Sequence, residues 1–97
     1  MTIKLSRDDD EKRVKMFKAL AEVKRLEIIR YIRQTDREMT CGDLGEIIGM
    51  DKSNVSYHLK ILYEADLVKV SRSGQNKFAQ LREDTFQTFL PGFLDSL

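Results

Sequence analysis

Apolar residues along this chain recur mostly at helical spacing, and the places where that rhythm breaks mark its elements. Asp8 to Glu11 sets four acids where a helix N-terminus favours negative charge, and Val14, Phe17, Leu20 and Ala21 follow at near-helical intervals. This predicts a first helix after a polar lead. Leu26, Ile28, Ile29 and Ile32 predict a second over about Val23 to Arg33, closed by the polar stretch Gln34 to Glu38. Thr40 with Asp43 three residues on resembles a capped start, and Leu44, Ile47 and Ile48 form the stripe of a short third helix ending at Gly49. Asp51 can cap a fourth, in which Val55, Leu59 and Leu62 share one face and leave Lys52, Ser53, Asn54, Ser56, Tyr57 and Lys60 for the others. Two short helices joined through Gly49-Met50-Asp51 make a helix-turn-helix candidate.

Beyond Leu67 the pattern becomes β-favouring. Leu67 to Arg72 and Lys77 to Leu81 read as two strands around the turn Ser73-Gly74-Gln75-Asn76, a hairpin or wing. The last segment sets Phe86, Phe89, Leu90, Phe93, Leu94 and Leu97 on one helical stripe, interrupted by Pro91, which removes a backbone donor and should kink or split the helix. The expectation is a mainly α protein with a β-hairpin wing: a winged helix-turn-helix of about five helices and a two- or three-stranded sheet. All of it fits one domain, 1–97, with the first two helices at 8–33, the helix-turn-helix at 40–64, the wing at 67–81 and a C-terminal dimerisation helix at 83–97.

Composition narrows the class without naming a partner. With 41% hydrophobic and 34% charged residues the chain reads as folded and soluble, and its apolar runs are too short for a bilayer. The N-terminus has no apolar segment after its basic residues, so it does not read as a signal peptide. One cysteine, Cys41, cannot form an internal disulfide, which fits a cytoplasmic protein. A net charge of +1 is far from the basic balance that by itself points to nucleic acid. Distribution says more: the segment Glu38 to Asp66 carries 2 basic and 6 acidic residues, whereas Leu67 to Leu81 carries 3 basic and none acidic.

From Ala19-Leu20-Ala21 and Arg25-Leu26-Glu27-Ile28-Ile29 onward, the chain resembles the ArsR/SmtB family of bacterial winged-helix regulators. Ser53-Asn54-Val55-Ser56-Tyr57-His58-Leu59-Lys60-Ile61-Leu62 is similar to that family's recognition helix, Glu64-Ala65-Asp66-Leu67-Val68 to its Glu-Ala-Gly-Leu-Val, and Arg72-Ser73-Gly74 to its wing approach. Asp66 replaces a common glycine, which is tolerable because Asp visits left-handed backbone more readily than most residues. The resemblance implies a homodimer that pairs through its first and last helices. Val14, Phe17, Phe86, Phe89, Leu90, Phe93 and Leu94 are the residues expected at that interface.

A recognition helix enters the major groove with its N-terminal residues against base edges. Ser53, Asn54, Ser56 and Tyr57 are the expected base readers, and Asn54 alone among them can pair bidentately with adenine. Lys52, Lys60, Arg72 and Lys77 suit phosphates, where a flexible cation adds affinity without reading sequence. His58, the only histidine, reads as a support for the recognition helix rather than a ligand or base. The family's thiolate metal site resembles Leu-Cys-Val-Cys-Asp-Leu, but this chain has Met39-Thr40-Cys41-Gly42-Asp43-Leu44, with Thr40 and Gly42 where the cysteines belong. Arg82 to Leu97 offers Glu83, Asp84 and Asp95 but no histidine for the alternative site on the last helix.

No metal and no cofactor is therefore expected. Cys41 at a helix start could have a lowered pKa, yet a lone buried cysteine more often behaves as a small apolar residue. Catalysis is not expected either, since the chain has no Gly-rich phosphate loop, a single histidine and little room to enclose a substrate. The partners implied are double-stranded DNA and a second copy of the chain, with no membrane and no inducer named. The functional expectation is a repressor bound to an inverted-repeat operator. Its rival is a winged-helix protein-interaction module without DNA binding of its own, to which the acidic 38–66 segment lends weight.

Overall fold

The computed structural model describes residues 7–35 and 38–97. The polar lead before Arg7 lies outside that range, as do Asp36 and Arg37 in the stretch expected to close the second helix. The elements run α1 (Arg7–Leu20), α2 (Val23–Gln34), β1 (Met39–Thr40), α3 (Cys41–Ile48), α4 (Lys52–Glu64), β2 (Val68–Ser73), β3 (Asn76–Leu81) and α5 (Glu83–Phe89), with a 3-10 turn at Leu94–Ser96. The sheet is antiparallel with strand order β1-β3-β2, and β1 supplies its third strand by pairing Met39 with Ala79 and Thr40 with Phe78. A two-residue strand leaves no periodicity to find in the sequence. Among the described residues no helix is long and apolar enough to cross a membrane.

Local chemistry accounts for the helix-turn-helix. Thr40 Oγ1 accepts from Asp43 N at 2.9 Å while Asp43 Oδ2 accepts from Thr40 N at 3.3 Å, a reciprocal box that starts α3. Gly49 ends α3 in the left-handed region at φ 79°, where side chains with a Cβ are strained. Gly45 takes the other tight position. Its carbonyl accepts from both Gly49 N and Met50 N at 2.8 Å, and a Cβ built on it would fall 2.4 Å from the Met50 carbonyl oxygen. Asp51 then caps α4 by accepting from Asn54 N at 2.8 Å. Asp66 does take the left-handed conformation expected of it, at φ 65°.

The core is built from the inward faces of these helices and the sheet. Ile28 and Ile29 of α2, Leu44 of α3, Val55, Leu59 and Leu62 of α4, then Leu67 and Val68 are essentially inaccessible. Each such side chain contributes on the order of 1.5–3 kcal/mol by leaving water. Two expected stripes are drawn differently. On α1 the core side chains are Met16, Ala19 and Leu20, whereas Val14 and Phe17 stand about half exposed, because the helix turns that pair away from α2 and α4. On α3, Ile47 is also exposed, and Cys41 and Gly45 are buried with Leu44 in its place.

The C-terminal segment is the largest departure from a single amphipathic helix. Helix α5 stops at Phe89, the chain reverses through Pro91-Gly92, and Phe93 stacks back on Phe86 with ring centroids 6.1 Å apart. Arg33 of α2 holds the returning turn by donating to the Leu94 carbonyl and pairing with Asp95. Phe86 and Leu94 are consequently 1% and 7% exposed inside one protomer. They belong to its core and are not available to a subunit interface. Phe89, Leu90 and Phe93 remain partly exposed. Leu90 and Phe93 border, with Phe17, Leu20, Leu26 and Leu97, an apolar groove of about 340 Å³.

Candidate nucleic-acid interface

Helix α4 presents a polar face because its apolar one is fully used. Val55, Leu59 and Leu62 face the core, so the register turns Ser53, Asn54, Tyr57 and Lys60 to solvent. The start of the helix is internally wired: Ser53 Oγ donates to Asp51 Oδ1 at 3.0 Å and Asn54 Nδ2 reaches Asp51 Oδ2 at 3.4 Å. The hydrogen bond from Asn54 N, helped by Ser53, holds the Asp51 carboxyl below its ordinary value, so this cap stays ionised. Part of the acidic charge noted in the 38–66 segment is thus committed to helix capping.

The wing stands beside this face. β2 and β3 pair from Val68 with Leu81 to Ser73 with Asn76, which sets Arg72 directly opposite Lys77. Lys77 Nζ crosses to α4 and donates to Ser56 Oγ at 3.0 Å, and both residues are half-buried. The sequence places these two in separate roles, one on a base and one on a phosphate; the fold brings them together as a strut between helix and wing. Two depressions share the strut. One, of about 480 Å³, is edged by Tyr57, Lys60, Tyr63 and Val70, and the other, of about 220 Å³, is edged by Thr40, Cys41, Gly42, Lys52 and Arg72.

Cys41 lies in the floor of the second depression, 7% exposed. Burial pushes its thiol up from the ordinary value, against the pull of Lys77, Lys52 and Arg72, so the neutral form is favoured. Thr40, at one of the positions where the resemblance expects a cysteine, spends its hydroxyl on the α3 cap. At the other, a Cβ on Gly42 would come 3.3 Å from Lys52 Cε, so the bare glycine makes room for a lysine stem.

Two residues near this face escape a reading of the sequence. Arg25 belongs to the family-like motif but suggests no partner by itself; in the fold its guanidinium donates to the carbonyls of Ala19 and Lys18 at the end of α1 and to His58 Nδ1 at 3.1 Å. Because Arg25 can only donate, His58 accepts at Nδ1 and carries its proton on Nε2. Burial lowers the His58 pKa, Glu22 opposes the shift and Arg25 reinforces it, so the neutral ring is favoured. Tyr63 is the second, an exposed aromatic one turn beyond Lys60 at the wing groove.

A sequence profile of the helix-turn-helix domain matches residues 9–71. Along all 97 residues the chain is 46% identical to the uncharacterized HTH-type transcriptional regulator YceK of Bacillus subtilis, spanning 95% of that protein. It is also 41% identical to the arsenical resistance operon repressor of the same organism over 68 residues, which are 70% of this chain and 64% of that relative. This chain belongs to the ArsR family of winged helix-turn-helix transcriptional regulators.

The ArsR-family fold is matched in solved structures as well. The homodimeric winged helix-turn-helix DNA-binding domain Mb0332 of Mycobacterium bovis superposes with a TM-score of 0.74 at 25% identity, over 92% of this chain and 83% of that one. NolR of Sinorhizobium fredii gives 0.72 at 26% identity, over 98% and 96%. The protein is accordingly a DNA-binding transcriptional regulator and not an enzyme. In the winged helix-turn-helix fold α3 and α4 form the helix-turn-helix and β2–β3 the wing.

Proposed function

We propose that the protein is a repressor that binds an inverted-repeat operator as a homodimer and blocks transcription. The observation that carries this reading is the polar face of α4: with Val55, Leu59 and Leu62 all buried, Ser53, Asn54 and Tyr57 are left pointing outward next to a wing whose charged side chains are all cations. Base reading falls to Ser53, Asn54 and Tyr57, with Ser56 contributing through its strut to Lys77. Lys52, Lys60, Arg72 and Lys77 grip phosphates, and His58 holds the recognition helix in place. Relatives named as repressors support the direction of regulation, and the homodimeric state of Mb0332 supports two-fold pairing.

Dimerisation uses Val14 and Phe17 of α1 with Phe89, Leu90 and Phe93 of the C-terminal segment. These are among the large apolar side chains that one protomer leaves wholly or partly exposed. DNA release is not governed by a thiolate-bound metal at α3, since the side chains at 40 and 42 are a committed hydroxyl and none at all. Selection from a random DNA pool, followed by salt titration on the best sequence, tests the whole reading. An inverted repeat with half-sites about one helical turn, or a small multiple of it, apart, and affinity falling steeply with salt, is the expected result. Enrichment of no sequence, with no binding at low salt, removes it.

A further inference from the structure

The smaller depression between the helix-turn-helix and the wing has an electrostatic composition that the fold does not otherwise need. Three cations, Lys52 from the start of α4 and Arg72 and Lys77 from the hairpin, line about 220 Å³ of space together with Thr40 and Asn76, and no carboxylate lines it. Among the described residues none of the three forms a salt bridge. Arg72 and Lys77 are direct cross-strand partners, a like-charge arrangement that weakens a hairpin unless something neutralises it. Gly42 lets the Lys52 stem lie over the first turn of α3, so the third positive charge comes from a different element than the first two.

We infer that this pocket is an oxyanion site, which holds a single phosphate group between Lys52 on the helix-turn-helix side and Arg72 and Lys77 on the wing side. The space is below the range usual for organic-ligand pockets and suits a small anion. Arg72 supplies the planar fork that matches phosphate oxygens, and the two lysines supply point charges. For its ligand in the cell the inference rests on the DNA-binding reading: the group is one backbone phosphate in each half-site, gripped from two elements at once. Such a grip fixes the wing relative to α4, as the hydrogen bond from Lys77 to Ser56 on the pocket wall already begins to do. Free inorganic phosphate presents the same chemistry and enters the same site.

Amide NMR of the intact chain during titration with inorganic phosphate, at ionic strength held constant with chloride, tests the pocket directly. Saturable shifts at Gly42, Lys52 and Asn76 are expected. Arg72→Gln and Lys52→Gln should each weaken the apparent affinity roughly tenfold, the effect of removing one charge-assisted hydrogen bond. Lys69→Gln, on the same hairpin but away from the pocket, should leave it unchanged. Shifts that grow without saturation, or that fall equally in Lys69→Gln, overturn the inference.

A second arm separates the two sources of phosphate. Operator DNA should be displaced by inorganic phosphate more than by chloride at equal ionic strength. If DNA binds but phosphate neither saturates the pocket nor competes beyond chloride, the oxyanion site is wrong and the DNA-binding reading stands. If phosphate saturates the pocket while no DNA is bound, the reverse holds.

Discussion

Arg25 Nη1 lies 3.1 Å from His58 Nδ1, while Arg25's remaining donors close the carbonyls of Lys18 and Ala19 at the end of α1. One side chain at the start of α2 thus ties the helix that carries Phe17 to α4. Arg25→Ala should cost about 1–3 kcal/mol of stability, because half-buried acceptors are deprived of charged donors. It should also weaken operator binding without changing which bases are preferred. Urea denaturation and a repeat of the sequence selection check both effects; a changed base preference would place Arg25 among the readers.

The same pair predicts a pH limb. The His58 pKa is lowered by burial, so the unfolded chain takes up its proton first as pH falls below the ordinary 6.5. Stability should be complete above that value, decline below it, and level off once pH passes under the folded-state pKa. As this is the only histidine, His58→Asn should flatten the limb between about pH 6.5 and the carboxylate range. Denaturant midpoints for both proteins across that interval provide the test, and an unchanged slope in the variant means other groups carry it.

Gly45 is fixed by space rather than by dihedral angle. A Cβ there would meet the Met50 carbonyl oxygen at 2.4 Å, and backbone in a tight turn cannot swing aside as a flexible side chain does. Gly45→Ala should destabilise by about 1–3 kcal/mol and spread the α3–α4 turn. Gly42→Ala meets the flexible Lys52 stem at 3.3 Å and Thr40 Oγ1 at an ordinary 3.6 Å, and should be milder. Thermal melts of the two variants should fall in that order.

Base reading and phosphate binding can be separated on the DNA. Asn54→Ala should cost about 1–3 kcal/mol on the best operator and blur preference at one position per half-site. Arg72→Ala should weaken specific and random DNA alike and reduce the salt slope by about one for each phosphate no longer neutralised. If Arg72→Ala instead alters preference at defined bases while Asn54→Ala does not, the wing is the reader.

The proposed dimer face is best probed at α1, since Phe93 stacks on Phe86 and its replacement would disturb the protomer itself. Phe17 is 54% exposed in one chain, so Phe17→Glu should leave folding intact yet shift the protein to monomer and lower operator affinity. Sedimentation velocity with circular dichroism decides: a wild-type monomer at micromolar concentration removes the interface.

Most of the architecture is determined by local sequence. The inward face Val55-Leu59-Leu62, the Thr40–Asp43 box, the Asp51 cap and the turn at Ser73 to Asn76 are each set within a few residues, because helix period, capping and hairpin chemistry are short-range. Whatever depends on which face meets which neighbour was decided only in three dimensions. Val14 and Phe17 carry the same periodic signal as Met16 and Leu20, yet only the second pair is buried, since the packing of α2 and α4 selects the face. The C-terminal apolar stripe could extend as a helix or fold back, and the reversal after Phe89 that stacks Phe93 on Phe86 turned two expected interface residues into core. Arg25 and His58 are 33 residues apart, and Ser56 and Lys77 are 21 apart. No spacing rule joins them, because side-chain hydrogen bonds across elements exist only after the elements have packed.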